Sequence, residues 1–282
     1  MVTLKNDRLE VIISKEGAEF RSIKLDGKET LWNGDPAYWE GIAPVLFPMC
    51  GGFRDGKYTF EGKEYFMKKH GFTRGAEFEL EDRGTNYVVL LLRSNEETLK
   101  QYPWEFEFRV TVKLRGADVD VYYTVKNLTN RTMYFSAGAH EAYACPEGVE
   151  DYDIIFPQKE TLNAWELDGN LIAHKYETIL KDSDTLPLYD KYFAIDALVF
   201  KDVKSRSATL RNRKTGRALT VDFPGFDYLL LWKKPGAGYI CIEPWCGIPG
   251  MVDDGYEIDK KEGIIPLEAN GKWEICHTIH YA

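Results

Sequence analysis

Residues 105–116 read EFEFRVTVKLRG, and residues 118–127 read DVDVYYTVKN. In the first run Phe106, Phe108, Val110, Val112 and Leu114 alternate with Glu105, Glu107, Arg109, Thr111 and Lys113. A period of two in β-branched and aromatic residues marks a strand with one buried face. The second run is as rich in Val and Tyr, and only the tight link Arg115-Gly116-Ala117-Asp118 separates the two. Together they predict one long antiparallel hairpin.

Working outward, the same texture continues. NYVVLLLRS at 86–94 reads as a strand beside this hairpin, and KYTFEGKEYFMK turns at Glu61-Gly62-Lys63 as a shorter one. Further strands are expected near 9–14, 18–25, 132–137, 152–156, 207–212, 217–223, 227–232, 239–243 and 272–280. Helical periodicity is scarce, and NEETLKQYP at 95–103 predicts one short helix before Pro103. No repeat, linker or low-complexity tract divides the chain. About a dozen or more strands in uninterrupted sequence predict a single all-β domain over 1–282, built as a large antiparallel sandwich of two packed sheets.

Composition narrows the function classes. The 282 residues are 44% hydrophobic and 14% aromatic, enough for a sizeable core. Lys plus Arg number 36 against 45 Asp plus Glu, a net charge of −9 with no basic stripe. Nucleic acid and anionic membrane surfaces are therefore not expected partners. The start, MVTLKNDRLEVIISKEG, lacks the apolar core of a secretory signal, and no window approaches the ~18 apolar residues of a membrane span. Cys50, Cys145, Cys241, Cys246 and Cys276 are an odd, scattered set. They predict reduced thiols in a cytoplasmic protein rather than a disulfide scaffold or a zinc site. No phosphate-cradling GxxxxGK[ST], HExxH or GxSxG occurs, so kinase, metalloprotease and serine-hydrolase readings have no footing.

The chemistry must then come from polar residues set in apolar strands. In YICIEPWCG at 239–247, Glu243 follows an apolar strand and precedes Pro244, which pushes it to extended geometry and places it at the expected strand end. A carboxylate in that company is partly desolvated, and its pKa should rise toward what a base near neutrality needs. A buried glutamate paired with an arginine fits the same local sequence equally well. Five histidines occur. His174, His277 and His280 read as exposed or structural groups, the last two on opposite faces of the final strand. His70 in KKHGFTR and His140 in SAGAHEAY have small neighbours that would leave room for a ligand. Arg54 in GGFRDGKY reads locally as a solvated loop arginine. Trp32, Trp39, Phe47 and Trp245 read as core, with an aromatic platform for a sugar ring as the alternative.

Five segments in order, YWEGIAPVLFP, GGFRDGKYTFEGKEY, KHGFTR, NLTNRTMYFSAGAHEAY and FDYLLLWKKPGAGYICIEPWCG, carry a resemblance. The chain resembles the aldose 1-epimerase (galactose mutarotase) family from about residue 8 onward, in its bacterial mutarotase-like branch with HGF and CIEPW signatures. The resemblance implies a mutarotase-type β-sandwich that interconverts the α and β anomers of a free hexose such as galactose or glucose, without cofactor or metal. It implies that Glu243 is the general base on the anomeric hydroxyl and His140 the general acid on the ring oxygen. His70 and Arg54 would bind and polarise the sugar. Asp190 in LYDKYFAID matches a sugar-binding aspartate, and Trp245 and Arg74 would join the binding set. The expected partner is a small monosaccharide, and the expected state a monomer or weak homodimer. Two alternatives remain at this stage. One is a hexose 6-phosphate substrate, with Arg54, Arg74 and a lysine of the pair 68–69 on the phosphate; the other is a carbohydrate-binding sandwich without catalysis.

Overall fold

The computed structural model describes residues 1–282, and its regular structure is almost entirely antiparallel strand. Strands Phe106–Arg115 and Asp118–Asn127 form the expected hairpin, pairing from Arg115 with Asp118 to Phe106 with Asn127. The alternation holds, with Phe106, Phe108, Val110, Val112 and Leu114 buried and the charged set turned outward. Tyr87–Arg93 adds on one side and Lys272–Tyr281 on the other. The helix is Glu96–Gln101, started by a capping box in which the Asn95 side chain accepts from the Thr98 amide and the Thr98 hydroxyl accepts from the Asn95 amide.

The large sheet has fourteen strands, twelve along one continuous path and two, Glu141–Ala144 and Leu171–Pro187, branching from it. It closes over itself: Glu141 lies seven strand-to-strand steps from the final strand along the path, yet its carboxyl sits 3.1 Å from the His277 ring. The two halves thus face each other across a shared core of 66 buried residues running from Val2 to Tyr281. The all-β antiparallel sandwich is borne out, with its two layers joined as a single ladder rather than built as separate sheets.

Two differences from the expected strands matter for function. The strand starting at Tyr152 does not stop at 156. Tyr152–Asp168 and Leu171–Pro187 make a hairpin of two 17-residue strands. Its register slips between Ile155 and Glu160 and at three later points, so no clean alternation survives in the sequence. The Gly169-Asn170 turn carries this hairpin's tip over the sheet. The strand expected at 239–243 runs on as Tyr239–Cys246, straight through Pro244. Glu243 is therefore inside a strand, not at its end. Pro244 keeps its place because its carbonyl still accepts from the Ala139 amide, while its missing N–H leaves a gap in the ladder between Ala137–Gly138 and Glu141–Ala144.

Candidate active site

That gap is where His140 lies. The pairs Gly138–Trp245 and Glu141–Ile242 share one register, so His140 sits directly across from Glu243. Directly opposed residues project to the same face and approach within contact range. His140 Nε2 and Glu243 Oε2 are 3.5 Å apart. On the other side of the strand, Leu230 pairs with Glu243 and Tyr228 with Trp245. Period-two alternation then assembles a floor: His140, Glu243 and Trp245, with Leu230, Trp232 and Lys234 continuing the neighbouring strand's face. Glu141, one residue from His140, points the opposite way into the core and meets His277.

A cleft of about 290 Å³ opens over this floor. Its walls come from Trp39, Pro44 and Leu46, from Lys69, His70, Gly71 and Arg74, from the hairpin tip at Leu167 and Asn170, and from Asp196 and Ala197. This volume sits at the small end of ligand sites and suits a single sugar ring. The aromatic rim is close-knit: the rings of Trp39 and Trp232 lie 5.2 Å and 5.5 Å from that of His140, and 5.0 Å from each other.

Glu243 has no arginine or lysine partner; His140 Nε2 lies 3.5 Å from its carboxyl, and the residue is 1% exposed. Burial pushes its pKa well above the ordinary carboxylate range, Lys69 opposes this, and Asp196 adds to it. Burial likewise drives the His140 imidazole far below its usual value, and the positive charges of Lys69 and Arg74 push the same way. Burial penalises both charged forms, raising the pKa of the carboxyl and lowering that of the imidazole. His70 is held by its backbone: Gly51 N–H donates to its Nδ1 at 3.2 Å. With Nδ1 accepting, the neutral ring carries its proton on Nε2. Burial first, then His140, Lys69 and Arg74, keep this ring neutral too.

The small residues beside the histidines serve the backbone rather than the ligand. Gly71 has φ +74°, and a Cβ there would lie 2.3 Å from the Phe47 carbonyl oxygen. A Cβ on Gly138 would lie 2.6 Å from the Trp245 indole. These glycines let chain and ring approach closely, and thereby set the angles of His70 and Trp245. Gly71→Ala is expected to destabilise the fold by more than the ~1–2 kcal/mol of a left-handed Ala, because a backbone clash is added. Thermal unfolding monitored by circular dichroism measures this.

Of the residues proposed from sequence, the cleft brings together Glu243, His140, His70, Trp245 and Arg74. It does not include Arg54 or Asp190. Arg54 stacks its guanidinium 4.1 Å over the Tyr256 ring, whose hydroxyl donates to Asp55; cation–π contact draws it away from the floor. Asp190 binds the buried ammonium of Lys233 and accepts from the Gly236 amide at 2.7 Å. Its carboxylate organises the loop after Trp232 instead of lining the cleft. Sequence reading missed Lys234, Asp196 and Asn170, and left Lys69 unnamed within its lysine pair. For Lys234 a signal existed, since Leu230, Trp232 and Lys234 continue one period-two face. Cys241 was missed as well: its sulfur, a His140 ring nitrogen and a Glu243 oxygen lie within 4.8 Å of one another, a donor set that could hold a soft divalent ion. Cys241 and Cys246 are five apart along a strand, so they face opposite sides, and all five cysteines are unpaired.

Fold and floor together place a glutamate and a histidine side by side in a small cleft on a β-sandwich. A family model described as Aldose 1-epimerase matches residues 1–275, and the chain belongs to that family. The LacX protein of Lactococcus lactis subsp. lactis, chromosomal form, is 36% identical over 96% of this chain and 97% of its own length. A solved structure from Lactobacillus acidophilus, described as a galactose mutarotase related enzyme, is 30% identical with a TM-score of 0.94, covering 100% of this chain and 97% of that one. A galactose mutarotase-like protein from Lactobacillus casei is 27% identical, with the same TM-score and full coverage of both chains.

Proposed function

We propose that the protein accelerates the exchange of α and β anomers of an aldose, with Glu243 as base and His140 as acid. Ring opening removes the proton from O1 and delivers one to O5, and both oxygens are bonded to C1. Two groups serving them must therefore be close to each other, and the 3.5 Å between Nε2 and Oε2 meets that need. This spacing is the observation that carries the reading. The reactive form, carboxylate plus imidazolium, holds the same single proton as a protonated carboxyl beside a neutral imidazole, so the two are tautomers and exchange without net proton uptake. Lys69 favours the carboxylate and opposes the imidazolium. Opening frees rotation about C1–C2, and reclosure on the other face uses the same groups in reverse. His70, with Nε2–H as its donor, is placed to hydrogen-bond a sugar oxygen. Trp39, Trp232 and Trp245 offer faces for the ring's C–H side. None of these steps calls for a metal or an organic cofactor.

Polarimetry of freshly dissolved α-glucose and α-galactose tests the reading. Saturable acceleration supports it; sugar binding without acceleration would make the chain a carbohydrate-binding sandwich instead. Free glucose or galactose is the simplest substrate consistent with the cleft's size. Five unpaired thiols favour a reducing compartment such as the cytoplasm. No helix is long and apolar enough to cross a membrane.

The pH dependence follows from the directions of the two shifts. Activity requires one proton on the pair. A second proton enters only below the depressed His140 pKa, and the single proton leaves only above the raised Glu243 pKa. The acid limb of kcat/KM is therefore expected well below 6.5, the ordinary imidazole value. An acid limb centred on that ordinary value would show that His140 does not titrate in this dry setting.

A further inference from the structure

Three cations line the cleft, and none is paired. Lys69, Arg74 and Lys234 all contribute to its wall. None of the three forms an ion pair, although cations elsewhere on this surface find carboxylates, as Lys57 finds Glu64, Arg109 finds Glu81 and Lys233 finds Asp190. The chain as a whole has nine more acidic than basic residues, so three unmatched cations around one small cleft run against its overall charge.

Their positions are also polarised. Arg74 and Lys234 lie beside rings that surround His140, while the charge of Lys69 is felt by both His140 and Glu243. Arg74 Nη2 would lie 3.1 Å from a Cβ on Gly41, the spot also crowded by the Trp39 indole, and Trp39 stacks on His140. Lys234 Nζ is 5.8 Å from the centre of Trp232, whose ring lies edge-on to His140. Lys69 lines the cleft next to His70 and bears on both members of the His140–Glu243 pair. The unpaired carboxylate of Asp196, also in the cleft lining, acts on Glu243 and not on His140. In an aldopyranose, C5 carries both the ring oxygen and C6. If His140 serves O5, C6 and its substituent leave the ring at the His140 end, among these cations.

We propose that the natural substrate is an aldose with an anionic group at C6, held by Arg74, Lys234 and Lys69. This rests on the acid–base roles proposed above. A C6 phosphate and a C6 carboxylate share the required chemistry, since both accept charge-assisted hydrogen bonds from guanidinium and ammonium donors. Arg54, the other cation considered from sequence, stacks on Tyr256 and is not part of the cleft lining.

The test compares anomer exchange of glucose and galactose with that of their 6-phosphates and of glucuronate and galacturonate, at low and high salt, in wild type and in R74M, K234M and K69M. The quantity read is the ratio of kcat/KM for the anionic sugar to that for its neutral parent. A ratio of about ten- to a hundredfold is expected at low salt, the size of one or two charge-assisted bonds. It should shrink with salt and fall toward unity as cations are removed. Whichever anion has the larger ratio identifies phosphate or carboxylate as the group at C6. A ratio at or below one for both anions in wild type would overturn the proposal, as would a ratio untouched by all three substitutions. Failure to accelerate any sugar, neutral or anionic, would instead strike the mutarotase reading itself.

Discussion

Glu243→Gln is expected to lower kcat for anomer exchange by about 10²–10⁴-fold with little change in stability. Glutamine has the same shape and is neutral, which suits the buried floor. What it cannot do is give up or accept the proton that must leave O1. KM should change little, because the amide can still hydrogen-bond the sugar. Circular dichroism and thermal unfolding would show the fold intact, while polarimetry shows the rate lost. Equal rates for wild type and Glu243→Gln would remove Glu243 from the chemistry, and with it the meaning of its contact with His140. The variant also separates two readings of that contact. In a merely structural pair the amide would lower stability and spare turnover; in a proton-exchanging pair the loss falls on turnover.

The second large effect concerns Asp190, and it is expected in stability rather than in chemistry. Lys233 is buried, and Asp190 is the carboxylate it binds. Removing one partner of a buried pair costs ~3–5 kcal/mol, because the other charge is left uncompensated. Asp190 itself is 38% exposed, so solvent screens part of this, and Asp190→Ala is expected at or below the lower end of that range. Burial alone would raise the Asp190 carboxyl, but the Lys233 ammonium and the Gly236 amide outweigh it and hold it below its ordinary value. A carboxyl depressed in the folded state stabilises the fold above its unfolded pKa, and that share is lost as pH falls through the folded pKa. Urea unfolding of wild type and Asp190→Ala should therefore differ near neutrality and converge in acid. A variant of native stability but strongly raised KM would restore Asp190 to the sugar site.

Much of the architecture was legible because strand alternation is a local property. The hairpin from 105 to 127, the small hairpin around Gly62 and the capped helix after Asn95 each follow from neighbours in sequence. The long hairpin from Tyr152 to Pro187 was not. Its register slips four times, and its second strand is exposed on both faces over much of its length, so no period of two accumulates. That hairpin matters to function because its tip delivers Leu167 and Asn170 to the cleft.

In the candidate site, sequence alone determined which side chains have the means to exchange a proton. Glu243 stands in an apolar strand before a proline, and histidine at 140 follows small residues. It also determined the faces, since Leu230, Trp232 and Lys234 alternate whatever the rest of the chain does. Only the tertiary structure decided which faces meet. The residue sums of two strands place His140 opposite Glu243, and a shift of one residue would have put Glu141 there and sent His140 into the core. Long-range pairing also drew Arg54 to Tyr256 and Asp190 to Lys233, and left Lys69, Arg74 and Lys234 without partners around the cleft. A residue's chemistry and facing are set within a few bonds. The company it keeps depends on strands about a hundred residues apart finding one register, and no local pattern encodes that choice.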